Sequence, residues 1–364
     1  MSAPQPGPAL MQVDPVHVEE KGRVLLYFGG CDYFRLSWHR AVRAVVKQAL
    51  GRRSLTVAAS RTTTGNDPLY GSMEDRLARF FATESATLAA SGYVAVLAVG
   101  QALRDVFTHV LIDEKAHGCL KEALRSWKAR IRVFRHADPD HVEKLVRRWP
   151  ARARGILITD GMFAQDGSMP PLREYRDALP ARAWIWVDDA HGAGLMGKRG
   201  RGALEWAGVS GRRWIQTLSL GKAFGVYGGA ILGARSLRTK LLERAEILAG
   251  NTPLPLPYVE GLMESIRQLE AHPEWRDRLL EESTGLKRAL APLGWPSLLT
   301  PGPIVSWTPP GDPKPMMTAL RRAGIHPCFI RYQGRPGCFR FALSSGHTRR
   351  QLLHLGEALM KGAG

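Results

Sequence analysis

No apolar run in this sequence approaches the ~20 residues that a bilayer-spanning helix needs. The best candidate, residues 86–103, is interrupted by Ser91, Gly92, Tyr93, Gly100 and Gln101, so a soluble protein with no membrane span is expected. Cysteine is scarce: Cys31, Cys119, Cys328 and Cys338 are the four in 364 residues. They form no C-x-x-C pair and have no histidine at zinc-ligand spacing, which argues against a disulfide framework and against a metal site, and fits reduced thiols in a cytoplasm. The first 20 residues, MSAPQPGPALMQVDPVHVEE, lack both the basic-then-apolar order of a secretory leader and the Arg/Ser pattern of a transit peptide. They read as a flexible tail. Internal repeats are missing too, as are low-complexity linkers beyond that tail. Neither nucleotide-binding fingerprint is present. No G-x-G-x-x-G opens a strand-to-helix turn, and Gly221-Lys222 is followed by Ala223, with Gln216 where the first glycine of a P-loop would stand.

What is present is positive charge. Lys and Arg number 51 against 33 Asp and Glu, a formal net charge of +18. The basic residues are spread along the whole chain and are mostly arginine, so one reading is compositional bias. The other is attraction of an anionic partner such as coenzyme A or an acidic acyl carrier protein, since a positive field raises encounter rates. A nucleic-acid partner is not expected, because no helix-turn-helix, zinc or aromatic-platform pattern accompanies the charge.

From about Leu77 to Gly233, short apolar runs alternate with amphipathic stretches, the pattern of a mainly parallel sheet covered by helices. Strands are expected at 86–88, 108–112, 131–134, 155–159, 183–187, 214–218 and 229–232, with helices at 92–104 and 141–148. After Gly233 come a charged helical stretch at 237–248, a proline-rich turn at 251–257, and helical sequence over 258–290 that Pro273 divides. Short strands at 304–307, 328–332 and 338–343 precede a final helix at 348–360. The expected organisation is a tail or arm over 1–35, a large α/β domain over 36–235 and a small α+β domain over 236–364. Such sheets hold ligands beyond the carboxyl ends of their strands, so the residues after each strand are where chemistry is to be sought.

Four strand ends carry candidates. The run Trp184–Val187 delivers Asp188, Asp189 and His191. An aspartate there can ion-pair with a protonated pyridine nitrogen, and a histidine three residues later can reach a ring oxygen; alone, the same acids suit a metal pair or a solvated turn. Ser219-Leu220-Gly221-Lys222 follows another strand and leads into a glycine-rich segment. A lysine so placed can be a Schiff-base nucleophile, or simply exposed. Ser91-Gly92-Tyr93 stands at a strand-to-helix junction whose free N–H groups suit a phosphate, or only start a helix. His117 closes Asp113-Glu114-Lys115-Ala116-His117, where it can lie over a ring or be an ordinary surface histidine.

The four sites fall in one order at the strand ends of one expected sheet. The segments SGY (91–93), DEKAHGCL (113–120), DGMFAQDGSMPPL (160–172), VDDAHGAGLMGKRGRG (187–202), SLGKAFGVYGGAILG (219–233) and CFRFALSSGHT (338–348) resemble the α-oxoamine synthases. These are fold-type I enzymes dependent on pyridoxal 5'-phosphate (PLP), and the likeness runs from about Tyr27 onward. It implies a mainly parallel seven-stranded sheet between helices, with a small C-terminal α+β domain. It also implies condensation of a small amino acid with an acyl-CoA or acyl carrier protein thioester, with loss of carbon dioxide, to give an α-amino ketone. By this resemblance Lys222 carries PLP as a Schiff base and later shuttles the α-proton, Asp188 holds the pyridinium, His191 contacts the ring oxygen and His117 stacks on the ring. Ser219 and the turn Ser91, Gly92, Tyr93 sit at the phosphate. Arg340 grips the amino acid's carboxylate, with Arg335 as a weaker rival, and a homodimer lets Thr252 reach the partner's phosphate.

The resemblance has departures. Cys31 stands where the family usually has Asn, near the amino-acid pocket. Ala164 and Ala116 replace serines, Val96 replaces a common Asn, and 61–67 departs from a glycine-rich form. Within the family, the middle segments look most like the branch that joins L-alanine to a pimeloyl thioester in biotin biosynthesis. Glycine or serine acyltransferases of the same family are the alternatives, as is a degenerate subunit supporting an active partner.

Overall fold

The computed structural model of the protein describes residues 7–331 and 336–363. Tyr332, at the end of one expected strand, and Arg335 lie outside the described residues. In chain order the first elements are β1 (Met11–Gln12), β2 (His17–Glu20) and β3 (Arg23–Leu26), which form an antiparallel sheet. The segment read as a flexible tail is therefore folded from Met11 onward, and the cause is local. Lys21 and Gly22 both take positive φ, 52° and 76°, the two-residue turn whose twist suits antiparallel neighbours. Val18, Leu25 and Leu26 are buried.

The next strands are β4 (Ser85–Ala89), β5 (His109–Asp113), β6 (Arg130–Phe134), β7 (Gly155–Asp160), β8 (Trp184–Asp188), β9 (Trp214–Ser219) and β10 (Gly229–Gly233). They make one seven-stranded sheet in the order β4-β10-β9-β8-β7-β5-β6. All pairs from β9 to β6 are parallel, and β10 runs antiparallel to both its neighbours. These are the expected strands within a residue or two. Alternation along them sorts the core into two faces. Val110, Ile112, Ile156, Ile158, Trp186 and Ile215 pack with the helix Gly92–Leu103. Leu111, Leu157, Ile185 and Val187 pack with Leu172 and Tyr175 on the other side.

Last come β11 (Ile304–Trp307), β12 (Phe329–Ile330) and β13 (Cys338–Ala342), an antiparallel sheet with β13 in the middle. By compactness the chain forms two units, one of His39–Phe163 with Met169–Pro273, the other of the chain up to Trp38 with Ala164–Ser168 and the chain from Glu274. These differ from the expected spans at three places, the first being Ala164–Ser168, which the expected large domain contained. Residues 236–273 belong with the large sheet, because the helix Leu256–Ala271 packs on the helices Arg40–Leu50 and Pro68–Phe81. The N-terminal sheet belongs with the C-terminal strands: Leu26 N donates to Gly324 O at 2.8 Å, and Arg321 ion-pairs with Glu20 at 2.7 Å.

Candidate active site

In the seven-stranded unit, β5, β7 and β8 end in Asp113, Asp160 and Asp188, all buried. Asp188 Oδ1 accepts from Thr217 Oγ1 at 3.2 Å, and its Oδ2 faces the Cys119 thiol at 3.5 Å. Burial pushes the Asp188 carboxyl up, while Lys222 and His117 pull it down. A buried carboxylate of this kind gains from a cation placed against it. Asp160 is pushed well above the usual carboxylate range by burial and by Asp188's charge, since two such groups in one pocket do not both ionise.

His117 caps the short helix Gly118–Ala123. Its backbone N donates to Asp160 Oδ2 at 2.9 Å, and its Nδ1 accepts from Cys119 N at 3.3 Å. Part of the ring stays exposed; burial of the rest lowers its pKa. Lys222, half-buried in the loop after β9, is close enough for its charge to act on Asp188, His117, Asp160 and Cys119. The structure thus brings together Lys222, Asp188 and His117, while His191 is buried in the turn that leaves β8.

Asp189 has a different surrounding from Asp188. Its Oδ2 accepts from Ala203 N and Gln216 Nε2, both at 2.7 Å, and burial raises its pKa to about 7. Gly161, Gly192 and Gly202 crowd the same carboxyl: a Cβ on any of them would lie 2.2 Å or less from one of its oxygens. Asp189 is a wall residue.

Two sequence candidates distant in the chain also meet. Ser91 caps the helix Gly92–Leu103, its Oγ accepting from Val94 N at 3.2 Å. A Cβ on Gly92 would lie 2.8 Å from Ser219 Cβ, and one on Gly229 would lie 2.2 Å from Ser91 O. Only glycine lets these backbones approach, and the result is a set of helix-terminal N–H groups beside two serine hydroxyls, the donor set of an anion cradle. Tyr93 is exposed at the first turn of that helix. Thr252 is exposed and lines a cavity of about 410 Å³ with Arg61, Arg238 and Ala90, the residue before Ser91.

The second unit holds Arg340 and Cys31. Arg340 is buried at the centre of β13; its Nη2 donates to Cys31 Sγ at 3.3 Å and its Nε to the Ala164 carbonyl. Two positions that depart from the family pattern, Cys31 and Ala164, are therefore both arginine contacts.

Sequence reasoning gave no role to Asp160, Cys119 or Thr217, which touch His117 or Asp188. Asp160 carried a usable signal, an acid at the carboxyl end of an apolar strand. Thr217 and Cys119 carried none, being 29 and 69 residues from the carboxylate they contact. The donor set fits PLP: a buried anion for a ring cation, a glycine-walled helix start for a phosphate, and a lysine acting on the anion.

Comparison with known proteins gives the same answer. The family model for aminotransferase class I and II matches residues 30–359. The 8-amino-7-oxononanoate synthase of Methylococcus capsulatus is 34% identical over 339 residues, covering 90% of this chain and 86% of the relative. That of Methylocella silvestris is 31% identical, covering 94% and 98%. In fold, a serine palmitoyltransferase from S. paucimobilis solved with a PLP–myriocin aldimine matches with TM-score 0.91 at 22% identity, over 97% of this chain and 92% of that one. The 8-amino-7-oxononanoate synthase of Francisella tularensis matches with TM-score 0.79 at 22% identity, over 93% and 97%. The chain belongs to the aminotransferase class I and II family, and within it to the PLP-dependent α-oxoamine synthases.

Proposed function

We propose that the protein condenses L-alanine with a pimeloyl thioester, releasing carbon dioxide and the free thiol and leaving 8-amino-7-oxononanoate. The observation that carries the substrate choice is that curated relatives matching nine-tenths or more of this chain, at 31–34% identity, bear that enzyme's name. PLP, when bound, supplies an electron sink for negative charge at the amino acid's α-carbon. Lys222 Nζ holds the cofactor and then takes and returns the α-proton. Asp188 would keep the ring nitrogen protonated: burial alone works against its carboxylate, and a cation placed beside it restores the charge, so each member of the pair holds the other ionised. His117 covers the ring face and His191 binds the ring oxygen. Ser91, Gly92, Tyr93 and Ser219 hold the phosphate, joined by Thr252 from the second subunit of a homodimer. Arg340 fixes the amino acid's carboxylate, where a bidentate guanidinium sets both angle and distance. A cytoplasmic enzyme is inferred, and none of its described helices is long and apolar enough to cross a membrane.

Cys31, which stands where the family usually has Asn, contacts Arg340 at 3.3 Å, and this departure leaves glycine or serine as the alternative amino acid. The deciding experiment titrates PLP-loaded protein with alanine, glycine, serine and threonine by visible absorbance, next to Lys222→Ala, and then assays thiol release from pimeloyl-CoA and pimeloyl carrier protein. A saturable, Lys222-dependent change with alanine and thiol release with pimeloyl donors supports the reading. A response confined to glycine or serine reassigns the amino acid. No Lys222-dependent band at all leaves the degenerate-subunit reading.

A further inference from the structure

Three potential ligand atoms, one each from His117, Cys119 and Asp188, lie within 4.8 Å of one another. His117 Nδ1 is 2.9 Å from Cys119 Sγ, and Cys119 Sγ is 3.5 Å from Asp188 Oδ2. Ligands around one tetrahedral zinc ion, at bond lengths of about 2.0–2.3 Å, stand about 3.3–3.8 Å apart, so closing the set on one ion requires the 2.9 Å pair to open slightly, the widest separation to shrink, and His117 Nδ1 to release the Cys119 N–H it accepts from. Among the described residues no other group of three His, Cys, Asp or Glu side chains is as close. We propose that the PLP-free protein binds one zinc ion through His117, Cys119 and Asp188, and that zinc and PLP exclude one another.

The donor types select the metal. An imidazole and a thiolate favour zinc over magnesium or calcium, which take oxygen ligands. Three protein ligands leave a fourth position open to water. A supporting shell is in place: Thr217 Oγ1 donates to the other oxygen of Asp188, and accepts in turn from Trp186 Nε1 at 3.2 Å. Such outer contacts orient a ligand before the metal arrives. An entry path exists because His117 keeps an exposed face while Cys119 and Asp188 are buried. Burial and the carboxyls of Asp188 and Asp160 hold the Cys119 thiol protonated in the metal-free chain, so zinc has to displace that proton on binding.

Binding is a simple exchange. Cys119 loses its thiol proton to solvent, a sulfur–zinc bond forms, and nothing is oxidised or reduced. Exclusion rests on the functional reading above, because Asp188 is there the partner of the ring nitrogen and cannot serve both groups.

The test uses full-length protein stripped of PLP and of metals, titrated with Co²⁺ as an optical probe and then with Zn²⁺. One equivalent should give a thiolate-to-cobalt charge-transfer band that Zn²⁺ displaces. Cys119→Ser should lose the band while circular dichroism shows it folded, and Cys328→Ser, next to His326 at 3.6 Å, should keep it. Zinc affinity should fall at least about tenfold in Cys119→Ser, since outer-shell changes alone cost that much. PLP-loaded protein should give no band, and Zn²⁺ should slow PLP uptake until a chelator is added. An absent wild-type band, or an equal one in Cys119→Ser, overturns the site. Zinc bound with PLP uptake undisturbed overturns the exclusion. Failure of metal-free protein to take up PLP overturns the functional reading instead, with the cobalt band still deciding the site.

Discussion

The two ends of the large sheet differ in kind. At the carboxyl ends stand Asp113, Asp160 and Asp188, all buried. At the amino ends stand Arg130 at the start of β6, Arg154 before β7, Arg182 before β8, and Arg212 and Arg213 before β9, all exposed. Backbone bonds tie the second row together: Arg130 N to Thr108 O at 2.8 Å, Thr108 N to Arg154 O at 2.9 Å, and Ile185 N to Arg213 O at 2.9 Å. The net charge of +18 is thus written partly on solvated arginines at the end away from the candidate site, and it misdescribes a pocket whose own ionisable groups are mostly acids. Exposed charge costs little and tolerates change; buried charge needs a partner.

Substitutions at the two ends sharpen this contrast. The largest effect is expected for Lys222→Ala, which should lose the visible cofactor band and drop turnover by about 10⁴-fold or more, the scale of removing a central catalytic group. Asp188→Asn keeps the shape but not the charge. It should cost roughly 10²- to 10³-fold in kcat, the scale of losing one preorganised electrostatic contact, with PLP uptake weakened in parallel; unchanged kcat would contradict the role given to Asp188. Asp160→Ala strands the backbone N–H of His117, a loss of ~1–3 kcal/mol in urea unfolding, and Asp160→Asn should recover part of it because an amide oxygen still accepts. At the other end, Arg130→Ser, Arg154→Ser and Arg213→Ser should each stay within about 0.5 kcal/mol of wild type and leave the cofactor band intact. A lost band in any of these would mean that the two ends are coupled.

Asp189 gives a pH test with a defined sign. Its pKa rises from 3.8 to about 7 in the folded chain, so between those values the native state keeps a proton that the unfolded state releases. Its contribution to stability therefore falls as pH rises through that window. Thermal unfolding of Asp189→Asn should show a flatter pH profile between pH 4 and 7 than the wild type, and an unaltered slope would show the group to be ionised in the fold.

How far the sequence was legible depends on range. β4 to β10 were visible because most are apolar runs closed by turn residues and β6 alternates arginine with Ile131 and Val133, and the helix break at Pro273 separates Leu256–Ala271 from Glu274–Ala289 as expected. The N-terminal sheet was missed because proline and glycine before it suggested a tail, although Lys21-Gly22 is itself a hairpin signal. The acid pair at the end of β8 was visible as a pair. Which of the two serves the site came only from the family resemblance, which gives the role to Asp188, because strand alternation separates neighbours without saying which side holds the ligand. The Arg340 contact with Cys31 spans 309 positions, and no local pattern reports such a contact.

The crowding around Asp189 also has a consequence for how this chain can change over generations. Gly161 and Gly192 are held small chiefly by one carboxyl, and Gly202 both by that carboxyl and by its φ of 85°, so these positions share a constraint and do not vary independently. Alanine at 161 or 192 is acceptable only in a background that has already shortened residue 189, and a shortened residue 189 leaves Gln216 Nε2 and Ala203 N in need of another acceptor. Order of substitution then matters as much as identity, and lineages that drift at this loop are expected to do so through residue 189 first.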